Sequence, residues 1–253
     1  NIFISHLDIS DGEKSISIND TKLMLSAPYS VSGKGSVNHI DLSRYLELFD
    51  IKRCLSKFNI NGPFSFSGVL RPEFKITGDF DLYVKDFWVL KKKGAPVNRE
   101  NSILDFKDGH VFGKVHFSAK GAYFDNFKAK SQNNMMTVSG WIKNDSTVDL
   151  DVKASDFSMN TYGRIEDLPV LGKGDFQTKL IVDENGDFKT FGNIDFADVK
   201  LLDGYHLGSI SSKITYLNEV LSFSDLKGKI DNSKYSGNIN LIFGKDNEVD
   251  LRG

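Results

Sequence analysis

The chain is poor in the features that announce most kinds of site. Only one of its 253 residues is cysteine, Cys54, so an internal disulfide framework and a thiolate zinc site are excluded. No run reaches the roughly 18 consecutive apolar residues of a membrane-spanning helix. Neither sign of charge dominates, because 32 Lys plus Arg against 34 Asp plus Glu leave a formal charge of -2. That balance offers nothing to a phosphate backbone, and nucleic acid is not an expected partner. No G-x-S-x-G, G-x-x-x-x-G-K-[ST] or helix-opening G-x-G-x-x-G occurs, so nucleophilic and nucleotide chemistry have no handle.

The few residues that could carry chemistry read more simply. His6, His39, His110, His116 and His206 are scattered, without the i, i+4 spacing of metal ligands, and are expected on strand faces. Asp183 to Asp187 begins like a calcium loop, but Ile194 stands where the bidentate Glu belongs, so the segment reads as a hairpin turn. Cys54 follows Lys52 and Arg53 with no nearby histidine and reads as a small buried hydrophobe. The carboxylates alternate with apolar residues and read as a solvated strand face. The expectation is a protein that is not an enzyme and uses no cofactor or metal.

What is abundant is phenylalanine, at 20 residues, with 22 glycines and only 5 prolines. Apolar residues recur at period two, as in Val148, Leu150, Val152 and Ala154 separated by Asp149, Asp151 and Lys153. A run from Phe74 through Ile76, Phe80 and Leu82 to Val84 behaves alike. Such strands have one wet and one dry face. Asp11-Gly12, Asn61-Gly62, Asp108-Gly109, Asn185-Gly186 and Asp203-Gly204 have tight-turn chemistry, so the reading is an antiparallel meander of roughly fifteen strands. Ser43 to Ser56 is the one helical expectation, with Tyr45, Leu48 and Phe49 on a shared face. Ser155 to Pro169 is a second irregular connector, and Lys91 to Asn101 an exposed loop.

The sequence also repeats itself. Gly62, Phe64, Leu82, Val84 and Asp86 align with Gly174, Phe176, Ile194, Phe196 and Asp198, and both copies change phase at the Asp, which reads as a β-bulge. Ser-Gly followed by an IDL or VDL triplet occurs three times, ending at Ile40–Leu42, Val148–Leu150 and Val249–Leu251. The expected division is therefore 1–56, the tail of one repeat with a crossing helix; 57–169, a second repeat with its crossing segment; and 170–253, an incomplete third. Opening on Asn1 without a Met and stopping inside a strand-like pattern, the chain reads as part of something longer.

These phrases carry a resemblance: the Ser-Gly–strand–VDL pattern, GDFDLYVKDFWVL, GNIDFADVKLL and LKGKIDNSKYSGNINLIF. The pattern resembles the repeating β-groove proteins of the AsmA-like group, and most of all the TamB family of translocation and assembly module proteins in Gram-negative bacteria. The resemblance implies an all-β, twisted antiparallel sheet shaped as an open trough with one or two short helical connectors. It implies a periplasmic location, an inner-membrane anchor outside this chain, no cofactor, and phospholipid transfer toward the outer membrane or help with outer-membrane protein assembly. Fifteen strands at ~4.8 Å would make a trough of about 70 Å, longer than a bilayer of ~40–45 Å.

The leading expectation is a lipid conduit whose wall is Phe64, Phe66, Phe74, Ile76, Phe80, Leu82, Val84, Val115, Phe117, Val148, Leu150, Val152, Phe176, Leu180, Ile194, Phe196, Ile239, Leu241 and Phe243. Tyr45, Leu48 and Phe49 would cross over the acyl chains. Expected partners are phospholipid acyl chains, neighbouring repeats and an outer-membrane β-barrel. Two other readings are a chaperone-like module that adds strands of unfolded outer-membrane proteins to its edges, and a closed two-sheet structural repeat.

Overall fold

The computed structural model describes residues 1–41, 56–90, 96–98, 101–145, 147–159, 164–165, 168–185, 187–201, 205–218, 220–243 and 249–252. The alternating runs form strands throughout: β1 (Ile2–Asp11), β2 (Lys14–Leu23), β3 (Ser30–Asp41), β4 (Ser56–Val69), β5 (Lys75–Leu90), β6 (Ser102–Ser118), β7 (Gly121–Ser131), β8 (Asn134–Lys143), β9 (Val148–Ser158), β10 (Arg164–Ile165), β11 (Leu168–Val182), β12 (Phe188–Leu201), β13 (Tyr205–Leu217), β14 (Val220–Ile230), β15 (Ser233–Phe243) and β16 (Val249–Arg252). Fifteen of them follow one another in chain order within one sheet, and β10 pairs with β11 beside that path. The protein is all-β and antiparallel, and its sheet is open. The two-sheet sandwich is thereby overturned.

Turn chemistry decided some connections and lost others. Asp11 pairs with Lys14 across a tight turn in which Gly12 has φ 61, and beyond β11 Asp183 accepts the amides of Asn185 and Asp187, an Asx-type contact. Asn61-Gly62 and Asp108-Gly109, expected as turns, lie inside β4 and β6. There the ladder outweighs the local preference. Asn61 spends its side chain on the neighbouring strand, where its Oδ1 accepts the His39 amide at 2.7 Å. The expected connector Ser155 to Pro169 also shrinks, because β9 continues to Ser158 and β11 begins at Leu168. The helical expectation at Ser43–Ser56 lies outside the described residues except Ser56, which opens β4.

The repetition survives as a pattern of backbone irregularities. Asp86 and Asp198 both have positive φ, at 50° and 51°, and each sits in a bulge where two residues of its strand face one of the preceding strand. Asp and Asn tolerate this left-handed conformation better than other side chains. Two further pairs recur in step. His39 in β3 and Asp156 in β9 donate their amides to Asn61 and Asp175 of the next strand at 2.7 and 2.8 Å. Asn126 in β7 and Asp225 in β14 donate theirs to Ser139 and Asn238 at 3.2 and 3.1 Å.

The alignment is not uniform, however. Lys85 and Ala197, each just before its bulge, pair with Asn59 and Lys173, so Lys173 rather than Leu171 takes the place of Asn59, and Gly62 does not superpose on Gly174. A two-residue slip preserves the face. The earliest Ser-Gly phrase also differs: Ser32-Gly33 and Ile40 share the single strand β3, whereas in the later copies the phrase is divided between two consecutive strands.

Two compact units divide the chain within β8: unit 1 is Asn1–Gln132 with Val138–Ser146, and unit 2 is Asn133–Thr137 with Thr147–Gly253. The accessible surface is 15565 Å². A compact protein of this mass exposes about 11,200 Å², and even two separate compact bodies of half the mass expose about 13,500 Å². The surplus belongs to a sheet without a second layer.

Candidate functional site

Within unit 1 the register aligns apolar residues into rows across the strands. Ile18, Gly35, Phe64, Phe80 and Gly113 are successive partners from β2 to β6. Gly33, Phe66, Gly78, Val115 and Phe124 form the next row, and Val31, Gly68, Ile76, Phe117 and Ala122 the one after. The rings keep company along this face: Phe64 lies 6.3 Å from both Phe66 and Phe80 in stacked pairs, and Phe80 meets Phe117 edge-on at 6.3 Å. Ile40, Ile60, Leu82 and Val84 make a buried cluster at one end of it, while Phe64, Phe66, Ile76, Phe80 and Phe117 are half-buried.

Unit 2 repeats the arrangement with other side chains. Leu150, Leu180, Thr190, Tyr216, Leu221, Leu241 and Leu251 are successive partners across seven strands. Val152, Thr178, Gly192, Ile214, Phe223 and Ile239 run beside them, followed by Ala154, Phe176, Ile194 and Ser212 and then by Phe157, Gly174, Phe196, Ile210, Gly228 and Tyr235. Phe196, Val199, Ile210 and Leu226 are buried together. Leu150, Phe176, Leu180, Ile194 and Ile239 are half-buried.

The opposite face is wet. Lys173 meets Asp156 at 2.6 Å, Lys179 meets Asp149 at 2.8 Å, and Lys213 meets Asp225 at 2.7 Å. The hydrogen bond from Lys213 holds the Asp225 carboxyl below its usual range and raises the Lys213 ammonium. On this side His110 bonds Asp81 and stacks on Tyr83 and Phe112 at 4.7 and 4.8 Å, His206 lies 3.0 Å from Asp198, and Thr77 lies 2.9 Å from His116, which also stacks on Tyr123. His6 contacts Asn19 and Asp8, which raise its pKa. These contacts read as exposed pairs that add little stability individually.

The structure brings nearly all the expected wall residues onto one face of each unit, because their sequence parity is the strand parity. Phe74 is the exception: it precedes β5 in the turn and is 41% exposed. Tyr45, Leu48, Phe49 and the side chain of Phe243 lie outside the described residues. Sequence reasoning missed the glycines that sit opposite the rings, and it missed Thr178 and Thr190, whose hydroxyls meet at 2.5 Å on the apolar face of unit 2. Alternation showed which positions face inward; only register shows which of them touch. Neither a protein-family model, nor a curated protein, nor a solved structure matches this chain.

Proposed function

We propose that this chain is a non-enzymatic segment of a lipid-transfer conduit in the cell envelope of a Gram-negative bacterium, carrying phospholipid acyl chains along its apolar sheet face. One observation carries the reading: each unit presents rows of half-buried Phe, Leu and Ile that cross five to seven strands of a single layer. Contiguous exposed apolar surface on this scale marks a binding surface. The chemistry suits a hydrocarbon. Each methylene exposed to water costs ~0.8 kcal/mol, so a sixteen-carbon tail moving unshielded faces about 12 kcal/mol, which an apolar wall removes while the head group stays wet.

The likeness to AsmA-like and TamB-type proteins supports the same reading, and with it a periplasmic location, neighbouring repeats and an outer-membrane barrel as partner. Mass spectrometry of molecules co-purified with the chain tests it, together with transfer of a fluorescent phospholipid between vesicles. Co-purified phospholipid and accelerated transfer are expected. A chain that carries no lipid, and instead retains unfolded outer-membrane protein segments, would replace this reading with strand addition at the sheet edges.

A further inference from the structure

The apolar face of unit 2 is interrupted by Ser212, a buried partner of Ile194 whose hydroxyl is spent on the Lys213 and Ser224 carbonyls at 2.9 and 3.0 Å, and by a pair of threonines. Thr178 on β11 pairs with Val152 and Gly192, and Thr190 on β12 pairs with Leu180 and Tyr216. Both are half-buried, and their hydroxyl oxygens lie 2.5 Å apart. Two hydroxyls have two protons, and one occupies this short bond. Among the described residues the other finds the Phe191 carbonyl, 3.3 Å from Thr178 Oγ1, a distance at which a hydrogen bond is weak. It is exchangeable for a better acceptor, and Gly192 opposite Thr178 has no side chain to cover the pair.

A saturated hydrocarbon offers no acceptor, and a phosphate is too costly to bring onto an apolar face. The acceptor that accompanies acyl chains into such a place is the ester carbonyl. The position agrees: Thr190 lies three residues from Asp187 in the β11–β12 turn, about 10 Å along the strand, so a head group at that margin would leave its esters near the pair and its chains over Phe176 and Ile194. We infer that Thr178 and Thr190 form a hydrogen-bonding station that takes an ester carbonyl of a diacyl glycerolipid, an inference that rests on the conduit reading.

The test compares dioleoyl phosphatidylglycerol with its dioleyl diether analogue as competitors for a bound pyrene-labelled alkane, using the 253-residue chain. The native chain should prefer the diester about fivefold or more, the usual worth of one hydrogen bond. The double variant Thr178→Val/Thr190→Val keeps shape and strand propensity; it should weaken only the diester and abolish the preference. Equal binding of both lipids by the native chain, or a preference retained in the variant, overturns the station while leaving the conduit standing. Failure of both lipids to displace the alkane overturns the conduit reading and the station with it.

Discussion

The two units build an apolar face in different ways. In unit 1 the large residues are phenylalanines whose cross-strand neighbours are glycines. A Cβ placed on Gly35 would stand 2.6 Å from Phe64 Cζ, on Gly33 2.7 Å from Phe66 Cζ, and on Gly78 2.5 Å from Phe80 Cε2. The Phe64 and Phe66 rings therefore lie over β3, and the Phe80 ring over Gly78 of its own strand, in space that any other residue would fill. Unit 2 relies more on aliphatic residues side by side, as in Leu221 against Leu241 and Leu150 against Leu180, next to the edge-on pair of Phe157 and Phe176 at 5.1 Å. Tyr235 over Gly228, its hydroxyl donating to the Leu207 carbonyl at 2.6 Å, is the one ring laid down in the same manner among the pairs described for that unit. A lying ring covers backbone with a stiff flat surface and two torsions; standing aliphatics make a deeper, softer relief. The same binary pattern can thus produce walls of different texture.

The largest contrast should come from placing a carboxylate on each wall. Val84, 4% exposed within the unit 1 cluster, has no route to water, and Val84→Asp should cost at least about 3–4 kcal/mol or prevent folding. Leu150 in unit 2 is half-buried on a face that admits water. Leu150→Asp should cost only about 1–2 kcal/mol, while abolishing uptake of a fluorescent acyl chain. Urea unfolding and a binding titration read the two effects. A Leu150→Asp chain that melts out like Val84→Asp would show a closed core where an accessible wall is inferred.

The glycines supply the next contrast. Gly78→Val, whose added Cβ meets only the Phe80 and Phe117 rings, must displace the Phe80 ring and should cost about 2–3 kcal/mol. Gly237, with nothing within 4 Å of an added Cβ, should accept Val within about 0.5 kcal/mol. Equal losses at the two sites would mean that the rings of unit 1 can rise without penalty, and the distinction between lying and standing walls would fall.

How much of this was legible depends on what kind of information a residue carries. Val148, Leu150 and Val152 declare their face by parity alone, and Asp86 and Asp198 declared their bulges because the apolar phase visibly shifts around them. Asn61-Gly62 and Asp108-Gly109 misled for the opposite reason: their local signal is a turn, and the deciding contacts come from strands far away in sequence. Gly35 beneath Phe64, or Thr178 beside Thr190, became visible only with register, since 29 and 12 positions separate residues that touch.

The bulges offer a smaller comparison of the same kind. Asn61 in unit 1 and Asp175 in unit 2 occupy matching roles as acceptors of a bulge amide, but Asn61 also brings an Nδ2 that is buried without a partner among the described residues. Asn61→Ala and Asp175→Ala should each cost about 1 kcal/mol, the net worth of one hydrogen bond. Asn61→Ser, which shortens the acceptor, should recover less of that loss than Asn61→Asp, which preserves its reach and removes the orphan donor. Hydrogen exchange at the His39 amide reads the effect locally, and unchanged protection in Asn61→Ala would show that another group holds that amide.

The smallest effects belong to the wet face, where two carboxylates are lowered by different causes. Asp183 is held down first by the backbone amide of Asp187 and then by Lys189, and Asp225 first by Lys213. Both folded values lie below the unfolded one, so each contribution is present above the ordinary carboxylate value of about 3.9 and is lost as pH falls through the lowered value. At neutral pH both groups are ionised in either state, so each contribution is fully present there and does not change with pH. The causes separate under salt and substitution. Salt at 1 M shortens the screening length to about 3 Å, which should move the Asp225 titration up toward its ordinary value and leave Asp183 nearly in place, because amide hydrogen bonds are not screened away. Lys213→Met should do the same to Asp225 without salt. Carboxyl resonances followed by NMR between pH 2 and 6, roughly the span over which a lowered carboxylate titrates, would show it. An Asp225 curve indifferent to both changes would mean that the bulge backbone, rather than Lys213, sets its charge.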